Sequence, residues 1–305
     1  MSTCLLGCGP IVPGPERLRD NRFGLEREIR IGWCPVCGLG ETLEPPAQVE
    51  LDALYRDCYV DGAGVPQVPG TSIAARIWHR VNGSLPLTDE PLEGPVLDVG
   101  CNRGEVLLVL RSRGLAVTGL EPNPAAAAAA RAHGLEVVQQ PIEEARLPAG
   151  EYGSVLLSQV LEHVHDPHAV LRRLGPALRD DGRLYIVVPN VDSVWRRVFG
   201  PDWVHWHVPF HLWHHTSRSL ERLLGQTGFR LEHARNVTPG EWLLMSIEAR
   251  RNARHGVYRL EPFRGRYGRR LAVAPLGRAA DLAGHGDALF AVARRAESAP
   301  SGNAV

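Results

Sequence analysis

From Pro95 onward the chain switches repeatedly between two hydrophobic periods, and this alternation constrains its fold more than any other feature. Short apolar runs of the kind that form buried strands ("PVLDVG", "AVTGLE", "LEVVQ", "SVLLSQV", "RLYIVVP") are separated by stretches of helical spacing at Glu105 to Arg113, Ala125 to His133 and His168 to Leu178. Strands that alternate with helices build a parallel sheet covered by helices on both faces. A helix over residues 217–226, a strand "RLEHARNV", an arginine-rich stretch and a last strand "DALFAVARR" follow. The predicted fold class is α/β, a doubly wound sheet.

In such a sheet ligands bind beyond the carboxyl ends of the strands, where "DVGCNRG", "LEPN" and "SQVLEHV" all fall. The first of these joins a strand to a helix N-terminus, which offers unpaired N–H groups and the positive end of a dipole. Gly100 and Gly104 let backbone approach a ligand closely, and Asn102 is one of the few other residues that tolerate a left-handed conformation. Glu121, twenty-one residues after Gly100, is placed to accept hydrogen bonds from both hydroxyls of an adenosine ribose. A dinucleotide and S-adenosylmethionine share that geometry. The G-x-G-x-x-G turn of a dinucleotide site is missing. Asp98, just before the turn, would repel a pyrophosphate but suits a ligand carrying an ammonium group and a sulfonium.

Taken in order, "VLDVGCNRG", "LEPN" and "SQVLEHVHDPHAVLRRLGPALRDDGRLYIVVPN" resemble a class I S-adenosylmethionine-dependent methyltransferase over roughly residues 93–297. The resemblance implies a Rossmann-like sheet with an antiparallel last strand. It also implies that Asp98, Gly100, Cys101, Asn102 and Gly104 line the methionine end of the cofactor. Glu121 and Pro122 would meet the ribose, and the backbone near Pro141 and Ile142 the adenine. Ser158 to His163 would stand between cofactor and substrate. Asn102 replaces a glycine usual in the family, and Pro141 an acid that many members turn toward the adenine amino group.

Six cysteines, and the reading of the chain as cytoplasmic, point to thiols or metal ligands rather than disulfides. Cys34 and Cys37 in "CPVCG" have knuckle spacing, and Cys4 and Cys8 supply a second pair, so a structural zinc ribbon is expected at the N-terminus. "RIGWCPVCGL" and "VELDALYRDCYVDG" resemble the amino-terminal region of a methyltransferase subgroup that includes deoxysugar C-methyltransferases. Those enzymes carry a large further domain for which this chain has no room, so the sugar substrate is not carried over.

The loop "FGPDWVHWHVPFHLWHH" sets five histidines among three tryptophans and follows the fifth strand, where it should overhang the substrate. Imidazole titrates near neutral pH and can take a proton from a hydroxyl. By resemblance His211 is the matching base, with His163 the next candidate; a packed aromatic lid is the competing expectation. Glu162 and His163 are also similar to a pair in metal-dependent RNA methyltransferases, but Gln159 stands where those enzymes have an acid, so packing and substrate orientation are expected of them.

All 34 basic residues are arginine, which excludes a Schiff-base lysine and a phosphate-loop lysine. They balance 34 acids, so no global field recruits nucleic acid, and no apolar run is long enough to span a bilayer. "LLGC" at residues 5–8 lacks the charged start and apolar segment of a lipoprotein leader. Eight arginines between Arg250 and Arg270 suggest either a solvated face or a site for an anionic acceptor. The expected organisation is a ribbon over residues 1–45, a helical linker or lid over 46–92, a cofactor-binding core over 93–237, a basic insertion with the last strand over 238–297, and a disordered tail over 298–305. The expected activity is methyl transfer from S-adenosylmethionine to a small or carrier-linked acceptor. A nicotinamide-dependent oxidoreductase and a non-catalytic binding module are the alternatives.

Overall fold

A computed structural model of the chain describes residues 2–59, 86–260 and 267–296. The helical pattern "SIAARIWHRV" and the tail fall outside them. The N-terminal part forms β1 (Val12–Arg19), β2 (Glu28–Trp33) and β3 (Gly40–Leu43), followed by helix α1 (Gln48–Tyr59). The alternating segment gives β4 (Val96–Val99), α2 (Glu105–Ser112), β5 (Val117–Leu120), α3 (Pro124–Ala132), β6 (Glu136–Val138), β7 (Tyr152–Ser158), α4 (Pro167–Leu174) and β8 (Leu178–Pro189). Then come α5 (Val194–Phe199), β9 (Trp213–His214), α6 (Ser217–Gln226), β10 (Phe229–Val237), α7 (Gly240–Ala253), α8 (Tyr267–Leu282) and β11 (Ala288–Arg295).

Local chemistry sets the helix starts. Asn123 caps α3 by accepting from the N–H groups of Ala125 and Ala126, with Pro124 at the first helical position. Asp166 caps α4 through Ala169, again ahead of a proline, and Thr216 and Ser219 form a reciprocal capping box on α6. Every residue of β4 is buried, as a central strand flanked on both sides requires.

The large sheet has the order β10-β11-β8-β7-β4-β5-β6. β4 runs parallel to β5 and β7, β5 to β6 and β7 to β8, whereas β11 is antiparallel to both β8 and β10. Chain order reverses between β4 and β7, so the crevice over their carboxyl ends is the topological switch point. The expected doubly wound sheet with an antiparallel last strand is what forms. Where the sequence suggested a basic insertion, residues 238–287 carry α7 and α8.

A second, four-stranded sheet has the order β1-β2-β3-β9. Its last strand comes from the histidine loop, through Gly40 opposite His214 and Glu41 opposite Trp213. The ribbon and the core share one apolar cluster, in which Cys4, Leu6, Cys34, Cys37 and Leu39 pack with Leu161, Leu220, Leu223 and the central strands. The N-terminal module is therefore packed onto the core.

Candidate active site

β4 ends in Asp98 and Val99 and breaks at Gly100, whose φ of 71° is left-handed. A Cβ there would lie 2.6 Å from Val160 Cγ2, so the turn can sit this close to the segment after β7 only as glycine. Asn102 takes φ 50°, as its side-chain type allows, and Gly104 caps α2 at φ 82°. Glu121, at the end of β5, is 7% exposed and accepts the N–H of Asn102 (2.9 Å) and of Asn123 (2.8 Å). Its carboxylate thus braces the turn. Burial raises its pKa, offset in part by those two N–H groups.

Asp98 is buried beside it, and burial first, then the charges of Glu121 and Glu105, push its pKa up to about 8. Two buried acids close enough to resist joint ionisation make a site that a cation relieves, which fits an ammonium and a sulfonium. Pro122 is exposed at the rim, Ser158 ends β7, and Pro141 borders the turn after β6 while Ile142 packs into the core. Cys101 departs from expectation. Its thiol is buried among Leu107, Ala127, Ala130 and Leu135 beneath α2 and α3, because the turn directs its side chain inward, so only its backbone can border a ligand.

The segment after β7 and the histidine loop are fastened together. The carbonyl of Glu162 accepts the N–H groups of Leu212 (2.8 Å) and Trp213 (3.2 Å), and the Trp213 indole donates to the carbonyl of Val164 (2.8 Å). This brings Glu162, His163 and His211 into one cluster. One carboxylate oxygen and one nitrogen of each ring lie within 4.8 Å of one another. His211 comes to Glu162 from far along the chain, a neighbour that sequence spacing does not reveal.

His211 is buried; its Nδ1 lies 2.8 Å from the carbonyl of His205 and its Nε2 lies 3.9 Å from Glu162 Oε1. His163 Nδ1 is 3.1 Å from the carbonyl of Phe210 and 2.6 Å from the Tyr55 hydroxyl. Carbonyls only accept, so both rings carry their proton on Nδ1 and present a bare Nε2. Burial holds both histidines neutral: His163 falls to about 4, with the Phe210 carbonyl opposing and the charge of Arg22 assisting, and His211 falls well below its usual value. Burial also pushes Glu162 up to about 8.

Rings from two other parts of the chain pack against this loop. Tyr55 of α1 packs on Phe210 at 5.0 Å, Phe23 packs on Phe210 and His207, and His207 stacks on Phe210 at 4.9 Å. Sequence reading missed Tyr55 and Phe23. The signal for Tyr55 was present, since it stands one helical turn after the buried Leu51 and so shares its inward face. Thr42 of β3 was missed as well: its hydroxyl donates to the carbonyl of His211 (2.7 Å) and meets His214 Nε2 (3.1 Å).

The four cysteines converge as expected, with sulfur separations of 3.7 Å (Cys4 to Cys37), 3.7 Å (Cys8 to Cys4) and 3.5 Å (Cys8 to Cys34). Four thiolates about 2.3 Å from one ion in a tetrahedron stand about 3.8 Å apart, so the donor set fits zinc. Burial raises the Cys4 thiol to about 11 and lifts Cys37 further. For Cys34 the N–H groups of Cys37 and Val36 outweigh burial and bring it down to about 7.

Two arginines of the arginine-rich stretch pair with acids of neighbouring elements. Arg250 lies 3.5 Å from Asp202 and Arg270 3.0 Å from Glu241. No helix among the described residues is long and apolar enough to cross a membrane.

Comparison with known proteins shows the family of the chain. The model of a methyltransferase domain family matches residues 75–234. The ubiquinone biosynthesis O-methyltransferase of Marinobacter nauticus is 38% identical over 141 residues, covering 39% of this chain and 59% of that protein. The enzyme of the same name from Cronobacter sakazakii is 35% identical over 161 residues, covering 45% and 66%. The chain thus matches less than two thirds of the length of these relatives. A chain in the complex between the Haloferax volcanii Trm112 methyltransferase activator and a methyltransferase superposes with a TM-score of 0.52 at 15% identity, covering 83% of this chain and 99% of that one. At that identity the likeness bears on the fold alone.

Proposed function

The chain belongs to the class I S-adenosylmethionine-dependent methyltransferases, and on that premise we propose that it methylates a hydroxyl oxygen of a small or carrier-linked molecule. The observation that supports the choice of oxygen is the pair of imidazoles, His163 and His211, held neutral by burial and gathered with Glu162 where the segment after β7 meets the histidine loop. A hydroxyl must lose its proton to become a strong nucleophile, and bare Nε2 lone pairs are the groups that can assist. The names of the relatives, O-methyltransferases, support the same acceptor atom.

When bound, S-adenosylmethionine supplies a methyl group on a positively charged sulfur. Asp98 would face its ammonium group and Glu121 its ribose. Gly100, Asn102 and Gly104 keep the turn open to it, Pro122 and Ser158 border it, and the backbone near Pro141 and Ile142 would meet the adenine. Tyr55, Phe210 and His207 form the aromatic wall against which an acceptor ring would pack. Glu162, His163 and His211 would activate the acceptor hydroxyl, and holding it in line with the methyl group supplies much of the rate. Cys4, Cys8, Cys34 and Cys37 would hold a structural zinc ion, whose role is to fix the ribbon and, through β9, the histidine loop.

The test is methyl transfer from labelled S-adenosylmethionine to a panel of hydroxylated aromatics and matched amines. Label should appear on the hydroxylated compounds. Transfer to amines alone would discard the oxygen assignment and leave the methyltransferase family standing.

A further inference from the structure

The turn that follows β1 is fixed from several sides. Asp20 is buried, and its carboxylate accepts the N–H groups of Arg22 (3.0 Å), Phe23 (2.8 Å) and Leu25 (3.0 Å). The Asn21 side-chain amide donates to the Trp203 carbonyl (3.3 Å), the Leu260 N–H donates to the Arg22 carbonyl (3.0 Å), and Phe23 forms an isolated bridge with Arg259. A turn held in this way presents two neighbouring side chains, a cation and a ring, in one place. The Phe23 ring lies 5.6 Å from that of Phe210 and 5.7 Å from that of His207, and the Arg22 guanidinium is 5.8 Å from the centre of the Phe23 ring. Arg22 thus extends, through Phe23, the aromatic wall proposed for the acceptor.

Arg22 is half-buried, yet among the described residues its guanidinium makes no ion pair and no hydrogen bond. Arg27, Arg196 and Arg250, also half-buried, lie against Glu50 (2.9 Å), Glu16 (3.6 Å) and Asp202 (3.5 Å). Glu241 of α7 feels the charge of Arg22, but it is held by Arg270 at 3.0 Å. A cation that has given up part of its hydration without gaining a counter-ion costs free energy that a bound anion recovers. The same cation assists burial in keeping His163, His205 and His207 neutral.

We propose that Arg22 selects the acceptor, holding the carboxylate of a hydroxylated aromatic acid whose ring lies along Phe23, Phe210 and Tyr55. This deepens the proposed oxygen methylation and rests on it. A guanidinium presents a planar fork that a carboxylate matches with two parallel hydrogen bonds, and its single charge is balanced by a single anion. With the acid on Arg22 and a hydroxyl at His163, the ring is fixed at both ends, as in-line transfer to one chosen hydroxyl requires.

The test is calorimetric titration of the full chain, saturated with S-adenosylhomocysteine, with 3,4-dihydroxybenzoic acid and with its methyl ester, which lacks the anion. Wild type is compared with Arg22→Gln and Arg22→Lys, and S-adenosylhomocysteine binding is measured on all three. Wild type should bind the acid at least about tenfold more tightly than the ester, the scale of a hydrogen bond between charged groups. Arg22→Gln should abolish that preference by weakening the acid alone, Arg22→Lys should restore part of it, and affinity for S-adenosylhomocysteine should be the same throughout. Equal binding of acid and ester by wild type, no binding of the acid, or an undiminished preference in Arg22→Gln overturns the assignment of Arg22 and leaves methylation of oxygen standing. Methyl transfer to amines alone, measured separately with labelled S-adenosylmethionine, is instead the failure of the underlying reading.

Discussion

Two carboxylates with different surroundings stand at the proposed cofactor end of the crevice. Glu121 holds the turn through the N–H groups of Asn102 and Asn123, so it serves the fold as well as any ligand bound there. Glu121→Ala should weaken S-adenosylhomocysteine binding at least tenfold, since a hydrogen bond to a charged group contributes about 1.5 kcal/mol or more. It should also lower the melting temperature, because two N–H groups lose their acceptor. Calorimetric titration and a melting scan check both. Asp98, raised to about 8, is largely protonated at pH 7 and must ionise to meet an ammonium group. A ligand that prefers the ionised form gains affinity as pH rises toward 8 and levels off above it. Titrations from pH 6 to 9 in buffers of different ionisation enthalpy should show rising affinity and proton release. A flat profile would mean that Asp98 does not contact the charged end of the ligand.

The histidine loop behaves as one element because β3 and the core grip it from both sides. Thr42→Val keeps the shape but leaves the His211 carbonyl and His214 Nε2 without the hydroxyl, at a cost of about 1–3 kcal/mol. The melting temperature should fall by several degrees in this variant and largely recover in Thr42→Ser. Burial lowers His205 and His214 to about 3 and His163 and His215 to about 4. Unfolded, these rings bind protons near pH 6.5, so between that value and about 4 the unfolded state holds more protons and stability is lost as pH falls. Tryptophan emission, to which Trp203, Trp206 and Trp213 contribute among seven tryptophans, should shift across that window. The strands and helices from Pro95 to Pro189, and α6, were legible in sequence because period and caps agree, as at Asn123 and Asp166. The turn at Gly100 to Gly104 was legible for the same reason. The ribbon strands were not, since β1 carries two prolines and a register shift, and β9 is only two residues long. Nor was the meeting of Glu162 with His211, which rests on contacts nearly fifty residues apart that no local pattern encodes.

Across the whole molecule, the ribbon, the histidine loop and the sheet share one apolar cluster, so the thiolate site should act on more than its own segment. Removing the zinc ion proposed for it, or the double substitution Cys34→Ser and Cys37→Ser, should increase amide exchange in residues 2–43 and also around β9 and the start of α6, where Thr216 donates to the Cys37 carbonyl. Loosening confined to the first 45 residues would show instead that the ribbon is an independent module. The central claim, that the crevice over β4, β5 and β7 binds S-adenosylmethionine for methyl transfer, is tested most directly by titrating the purified chain with S-adenosylhomocysteine and, separately, with a nicotinamide dinucleotide. At a hundredfold excess over its dissociation constant a ligand adds about 2.7 kcal/mol of stability, so a melting scan reads the same equilibrium. The account predicts saturable binding and a rise of several degrees with S-adenosylhomocysteine, and neither with the dinucleotide. No response to S-adenosylhomocysteine at millimolar concentration, or a larger response to the dinucleotide, would contradict it.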